Sequence, residues 1–285
     1  MFRKAYLLIA LICVLANCTP AEFSTAKLLT LDQELQKLIA PYGYKVGACF
    51  IDLESGGEIQ INASKKFPAA SVAKLPVLAT VYHMAGSGKL NLDERIKFKE
   101  RDKLPGSGVL QWMKPGNEYS VRNLARLMIV LSDNTATKML VDQVSLDEIN
   151  RYLQKLGLND TRVVDSTLLR EPPQEYVNLT TPEDMARLCA LLQDPEYFDP
   201  KFSQEMLGYM HRQKYRWGIW KGVPKGVKIA NKTGNLEGVL NDVGIVYSPA
   251  GKYILSVFTH GFSEKKNARE LINRISETVY AAYIN

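Results

Sequence analysis

The stretches of this chain that can form β-structure lie near its two ends, with a long helical pattern between them. Near the start, "KVGACFIDLESGGEIQIN" (45–62) alternates apolar and polar residues and turns at Ser55-Gly56-Gly57, the pattern of a hairpin. After residue 222, "VKIANKTG", "DVGIVYS" and "KYILSVFTHG" read as strands, with Pro249-Ala250-Gly251 turning between the last two. Residues 24–41 place Leu28, Leu31, Leu35, Leu38 and Ile39 at helical spacing, and 268–284 repeat the device with Leu271, Ile275 and Val279. A sheet must therefore be assembled from both ends of the chain, with a helix at each terminus to cover it.

Residues 68–212 are helical in pattern. Ser145 and Glu148 make a capping box that Gly157 terminates, and Thr181 caps a helix with Pro182 at its first position. The order implies an α/β fold of the α+β type. Residues 24–66 and 213–285 would form a mixed subdomain and 67–212 an all-α one. Their seam is where a ligand pocket is expected.

The first residues bear on the compartment. "MFRK" is a short basic start, and "AYLLIALICVLA" (5–16) is an apolar run too short to span a bilayer comfortably. We read 1–17 as an export signal. "LANC" resembles a lipoprotein box, which would make Cys18 a lipidated first residue and a membrane attachment point; Asn17 departs from the usual small residue there. The expected location is the periplasm or cell envelope. The net charge of +6 falls by two when Arg3 and Lys4 leave with the leader, too little to suggest nucleic acid. Cys49 and Cys189 sit in separate apolar runs and are expected as two buried thiols rather than a bridge.

The spelling S-x-x-K occurs at Ser24/Lys27, Ser71/Lys74 and Ser263/Lys266. Three residues is nearly one helical turn, so the two side chains share a face. A lysine can accept a serine proton only if burial or neighbouring cations depress its pKa. Ser71 has the right setting. It opens an apolar helix in which Pro76 is tolerable only near the start, so its own N–H is left to donate to an oxyanion. Ser24 lies at the edge of the mature terminus, where mobility is expected, and Ser263 reads as a cap for the last helix.

Two further motifs follow in order. Ser132-Asp133-Asn134 falls in a break between helices, and Lys232-Thr233-Gly234 near the end of a strand. S-x-x-K, S-D-N and K-T-G together mark one group of acyl-serine enzymes. From about residue 45 to the C-terminus the chain resembles the penicillin-recognising serine hydrolases. The likeness is strongest to the class A β-lactamase family and its penicillin-binding relatives, and includes "GSGVLQ" (106–111), "NLTTPEDMA" (178–186) and "GVPKGVKIANKTG" (222–234).

The resemblance implies a β-lactamase/transpeptidase-like fold, with a five-stranded antiparallel sheet, flanking terminal helices and an all-α subdomain. It implies Ser71 as the acylated nucleophile, Lys74 as its proton acceptor and Ser132 as relay to the leaving nitrogen. Lys232 and Thr233 would bind the substrate carboxylate. Asn134 would bind the acyl amide, and the N–H groups of Ser71 and Asn235, beside Gly234, would form the oxyanion hole. No cofactor or metal is implied. The expected partner is a small β-lactam or a D-Ala-D-Ala peptide, met by a monomer.

One segment departs from the family. Class A enzymes carry a deacylating glutamate on the loop before the T-T-P helix, and "DTRVVDSTLLREPPQEYVNLTTP" (160–182) lacks the arginine–x–glutamate–proline–x–leucine–asparagine pattern. Counting from Gly157 puts Leu168 at that place; the local "REP" offers Glu171 instead, and Glu175 lies three before Asn178. Without a base for water, the acyl-enzyme would turn over slowly. The readings are thus a β-lactam hydrolase, a slow D,D-peptidase on peptidoglycan stems, or a non-catalytic peptidoglycan-binding lipoprotein. The third has no need of Lys74 or Ser132. His83, His211 and His260 are isolated, and neither H-E-x-x-H nor G-x-S-x-G occurs, which disfavours zinc and Ser-His-Asp hydrolases. "AGSGKL" (85–90) is not a P-loop.

Overall fold

A computed structural model describes residues 24–166 and 177–284. The sheet is five-stranded and antiparallel throughout, built from β1 (Val46–Asp52), β2 (Glu58–Ile61), β7 (Lys228–Leu236), β8 (Val239–Ser248) and β9 (Gly251–His260) in the order β2-β1-β9-β8-β7. The early hairpin docks on the last strand through the β1–β9 pairing, with Ala48 opposite Val257 and Phe50 opposite Leu255. The two ends of the chain thus meet in one sheet.

Both faces of that sheet are covered, and the two-residue period of a strand decides which side chain goes where. Ala48, Phe50, Leu255 and Val257 turn to one face, where α1 (Thr25–Ile39) and α8 (Lys265–Ile284) bury Leu31, Leu35, Ile39, Leu271, Ile275 and Val279 against them. Cys49, Ile51, Ile254 and Phe258 turn to the other, into the core shared with the middle of the chain. The middle supplies α2 (Lys74–Gly86), α3 (Val121–Val130), α4 (Asn134–Val144), α5 (Leu146–Lys155), α6 (Pro182–Leu191) and α7 (Pro200–His211). Residues Lys74–Tyr82 of α2 are all buried, so this helix is apolar on nearly every side and sits among the others. Each fully buried Leu or Val there contributes about 1.5–3 kcal/mol. Cys49 and Cys189 are free and buried, and burial pushes both thiols up to about 12, which leaves them inert.

Some local features differ from the expectations. Two short ladders, β3 (Phe67–Pro68) with β6 (Leu179–Thr180) and β4 (Arg95–Lys97) with β5 (Glu118–Ser120), are too brief to show alternation in the sequence. Ser24 is an ordered N-cap, its Oγ accepting the Lys27 N–H at 3.3 Å. That S-x-x-K is therefore a helix start, and Lys27 engages Ser24 through its backbone. The last helix opens at Lys265, which puts Glu264 rather than Ser263 at the capping position.

Candidate active site

The chain approaches Ser71 through β3. The Ala69 N–H donates to the Asn178 carbonyl at 2.7 Å, and Ala70 takes a positive φ of 48° before a single 3-10 turn, Ala70–Ala73, leads into α2. A left-handed alanine costs about 1–2 kcal/mol. Here it turns the backbone so that Ser71 begins the helix and Lys74 lies one turn on, its Nζ 3.1 Å from Ser71 Oγ. Ser71 is half-buried, whereas Lys74 is wholly buried.

The S-D-N turn reaches the same point from the break between α3 and α4. Ser132 also has a positive φ, 52°, and lies only two residues past the end of α3. Its hydroxyl is 3.0 Å from Lys74 Nζ and its carbonyl accepts from that nitrogen at 2.6 Å. Asp133 carries the turn. Its carboxylate accepts the N–H groups of Val109 (2.7 Å), Leu110 (2.9 Å) and Ala136 (2.9 Å), so it caps α4 and holds residues 106–111 at once. Gly108 has to be glycine: its φ is +106°, and an added Cβ would stand 2.3 Å from that carboxylate. Asn134 Oδ1 accepts from Lys74 Nζ at 2.8 Å, while one of its amide hydrogens goes to the Pro105 carbonyl at 2.8 Å.

β7 closes the site from the third side. Lys232, fully buried, donates to Ser132 Oγ at 3.0 Å and to the Thr233 carbonyl at 2.8 Å. Gly234 lets this strand press against the nucleophile's turn, since a Cβ there would lie 3.0 Å from both the Ala69 carbonyl and the Ala70 Cβ. The Thr233 hydroxyl donates to Gln213 Oε1 at 3.4 Å, and Asn235 is exposed at the strand's open end.

Four side chains thus form one hydrogen-bonded series, Ser71–Lys74–Ser132–Lys232. The contacts of Lys74 accommodate a neutral amine. Its four neighbours include two oxygens that can only accept, the Ser132 carbonyl and Asn134 Oδ1, and these are the two closest. A neutral amine gives its two hydrogens to them and keeps its lone pair for a hydroxyl proton. The electrostatics agree: burial, then the Lys232 cation, holds Lys74 well below the ordinary lysine range, with Asp133 opposing. Burial also lowers Lys232 to about 7, opposed by Asp242. Asp242 is itself buried and pushed up to about 7, with Asn231 Nδ2 and the Ile219 N–H bonded to its carboxylate.

The structure brings together Ser71, Lys74, Ser132, Asn134, Lys232, Thr233 and Gly234, and it leaves Ser24 and Ser263 elsewhere. Glu171, Glu175 and Leu168 lie outside the described residues. Four supporting groups, Asp133, Gln213, Asp242 and Asn178, are not singled out by the sequence. Asp133 carries a signal there as the middle of S-D-N, and Asn178 as the first residue of N-L-T-T-P; Gln213 and Asp242 carry none. Gln213 is buried, donates to the Asn231 carbonyl and accepts the Tyr215 N–H, so the hydroxyl of Thr233 has a fixed partner.

Asn178 closes the neck of the 165–178 loop. Its Oδ1 accepts the N–H groups of Val164 and Asp165 at 2.7 and 3.0 Å, and its amide donates to the Asp165 carbonyl at 3.0 Å. Through Ala69 this neck is tied to the turn that holds Ser71. Asn178→Ala removes the acceptor of the buried Asp165 N–H and the part-buried Val164 N–H and is expected to cost about 2–4 kcal/mol in a denaturant titration. Any loss of deacylation should exceed the loss of acylation, because Lys74 and Ser132 do not depend on the neck.

Comparison with known proteins points the same way as this geometry. The model of the beta-lactamase enzyme family matches residues 30–283. The extended-spectrum beta-lactamase PER-1 of Pseudomonas aeruginosa is 25% identical over 274 residues, spanning 88% of this chain and 86% of its own. Beta-lactamase L2 of Stenotrophomonas maltophilia is 25% identical over 241 residues, 83% of this chain and 79% of its own. Among solved structures, PBP-A superposes with a TM-score of 0.82 at 31% identity, covering 90% of this chain and 96% of its own. The beta-lactamase from Sphaerobacter thermophilus DSM 20745 does so at 0.82 and 30%, covering 92% and 98%. By family model, relatives and fold alike, the chain belongs to the beta-lactamase enzyme family.

Proposed function

We propose that the protein is an exported serine hydrolase of class A β-lactamase type that opens β-lactam rings through an acyl-Ser71 intermediate. The observation that carries this reading is the Ser71–Lys74–Ser132–Lys232 series. In acylation, Ser71 Oγ forms a bond to the lactam carbonyl carbon while its proton passes to the Lys74 lone pair. The C–N bond then breaks, and the Ser132 hydroxyl gives its proton to the departing nitrogen and is resupplied by Lys74. Lys232, as a cation, orients the Ser132 hydroxyl and has a third N–H for the substrate carboxylate. Hydrolysis of the ester by water returns Ser71. The leader in residues 1–17 supports export to the cell envelope, with Cys18 as a lipid attachment point.

A second reading, a slow-turnover D,D-peptidase, is favoured by the loop that lacks the class A glutamate pattern and by the likeness to PBP-A, a mutant of which was solved as an acyl-enzyme complex with penicillin G. Mass spectrometry of the protein mixed with a penicillin, followed in time, separates the two. An adduct on Ser71 that appears and then disappears with substrate consumption supports the hydrolase. An adduct that persists supports the peptidase, and no adduct at any time sinks both. Glu171→Gln should then prolong the adduct; unchanged turnover removes Glu171 from the mechanism.

The buried lysines set an expected pH profile for the second-order rate of acylation. Acid protonates Lys74 and removes the base, so the rate falls on that side. Lys232 loses its charge as pH rises past about 7, so the rate falls there too, giving a bell. Lys232→Arg keeps its proton throughout. The residual acylation of that variant should lack the alkaline limb, and an unaltered limb would take Lys232 out of this account.

A further inference from the structure

A cavity of about 340 Å³ lies between α3 and the segment after α7, outside the four-residue series, and four cations line it: Arg126, Arg212, Lys214 and Arg216. No acidic side chain is among its lining residues, and among the described residues none of the four is paired with a carboxylate. One turn earlier on α3, Arg122 is held by Asp93 and Glu205, so the same helix neutralises one arginine and leaves the next facing a cavity. The cations are braced. Arg216 stacks on the Trp220 ring at 4.2 Å and Arg212 on Tyr209 at 5.6 Å, which fixes each guanidinium while leaving edge N–H groups to donate. The two walls are joined by the Lys214 N–H donating to the Val130 carbonyl at 3.0 Å. Leu127, Val130 and Leu131 supply the apolar part of its lining, with His211 beside them.

Planar donors with like charge, lining a cavity together with apolar side chains, suit a multiply charged anion carried on carbon. We propose that this cavity binds a phosphate- or diphosphate-bearing group attached to an apolar stem. The assignment stands independently of the acyl-serine chemistry. The stem has two sources with the same chemistry, a soluble phosphorylated metabolite or the headgroup of an anionic lipid.

Calorimetric titration of the full chain with inorganic pyrophosphate tests the site. Saturable one-to-one binding that weakens steeply as salt rises is expected, because the contacts are ionic. Arg126→Ala and Arg216→Ala should each weaken it about tenfold, as expected for losing a charge-assisted contact. Lys37→Ala, on α1, should leave it unchanged. Both arginines are exposed, and an unaltered rate of Ser71 acylation in each variant certifies its fold. Flotation with phosphatidylcholine vesicles, with and without phosphatidic acid, then assigns the source. Capture only with phosphatidic acid, reversed by pyrophosphate, means a lipid headgroup; pyrophosphate binding without capture means a soluble ligand. Absence of saturable binding, or equal binding by wild type and the Arg126→Ala/Arg216→Ala double variant, overturns the proposal.

Discussion

Replacing Lys74 by alanine is expected to slow acylation of Ser71 by about 10²- to 10⁴-fold, the range for removing a positioned general base. The physical ground is the state of this one nitrogen. It is wholly buried and faces a second cation, so the charged form is disfavoured and the pKa lies well below the ordinary lysine range. As a free amine it gives its two hydrogens to the Ser132 carbonyl and Asn134 Oδ1, its two closest acceptors, which leaves the lone pair for Ser71. Alanine removes the acceptor and also frees Asn134, so part of the loss will be positional. Lys74→Arg separates the two contributions. Arginine keeps the hydrogen-bonding reach but is permanently charged and cannot act as a neutral base. If the arginine variant acylates as fast as the wild type, measured by the growth of the penicillin adduct on Ser71, the proton-acceptor role is wrong.

Much of this site is legible in the amino-acid sequence, because its parts follow local rules. The Ser71–Lys74 spacing is a helix rule, Pro76 places the helix start, and K-T-G lies in a run with strand alternation. The sheet is legible for the same reason: the period-2 pattern of Cys49 and Ile51 against Ala48 and Phe50 already divides the two cores. The groups that hold the parts together are not legible. Gln213 meets Thr233 across 20 residues and Asn241 donates to the Pro68 carbonyl across 173, and no local pattern encodes contacts of that span. The left-handed backbone at Ala70 and Ser132 is hidden as well, since neither residue is the glycine that usually marks such a turn. Ser24 misleads for a related reason: a serine three residues before a lysine is also how a helix N-cap is spelled.

Asp133→Ala should be among the most destabilising single substitutions in the chain. The carboxylate is buried and accepts the backbone N–H groups of Val109, Leu110 and Ala136. Stranding the two buried donors of Leu110 and Ala136 at about 1–3 kcal/mol each gives an expected loss of about 2–6 kcal/mol, to which the part-buried Val109 N–H adds less. That approaches the whole stability of an ordinary domain, so low expression or a large drop in melting temperature is the predicted result. Asp133→Asn is the informative companion, because it removes the charge while keeping one acceptor oxygen. That oxygen can still serve Val109 and Leu110, at the cost of setting an NH2 against the Ala136 N–H. Asp133 opposes the depression of the Lys74 pKa. Without that anion Lys74 should hold its proton less firmly, and the acid limb of the acylation profile should move to lower pH. A structural role alone predicts a slower enzyme with the limb unmoved. A shifted limb would show that the middle residue of S-D-N both fixes the turn and tunes the base beside it.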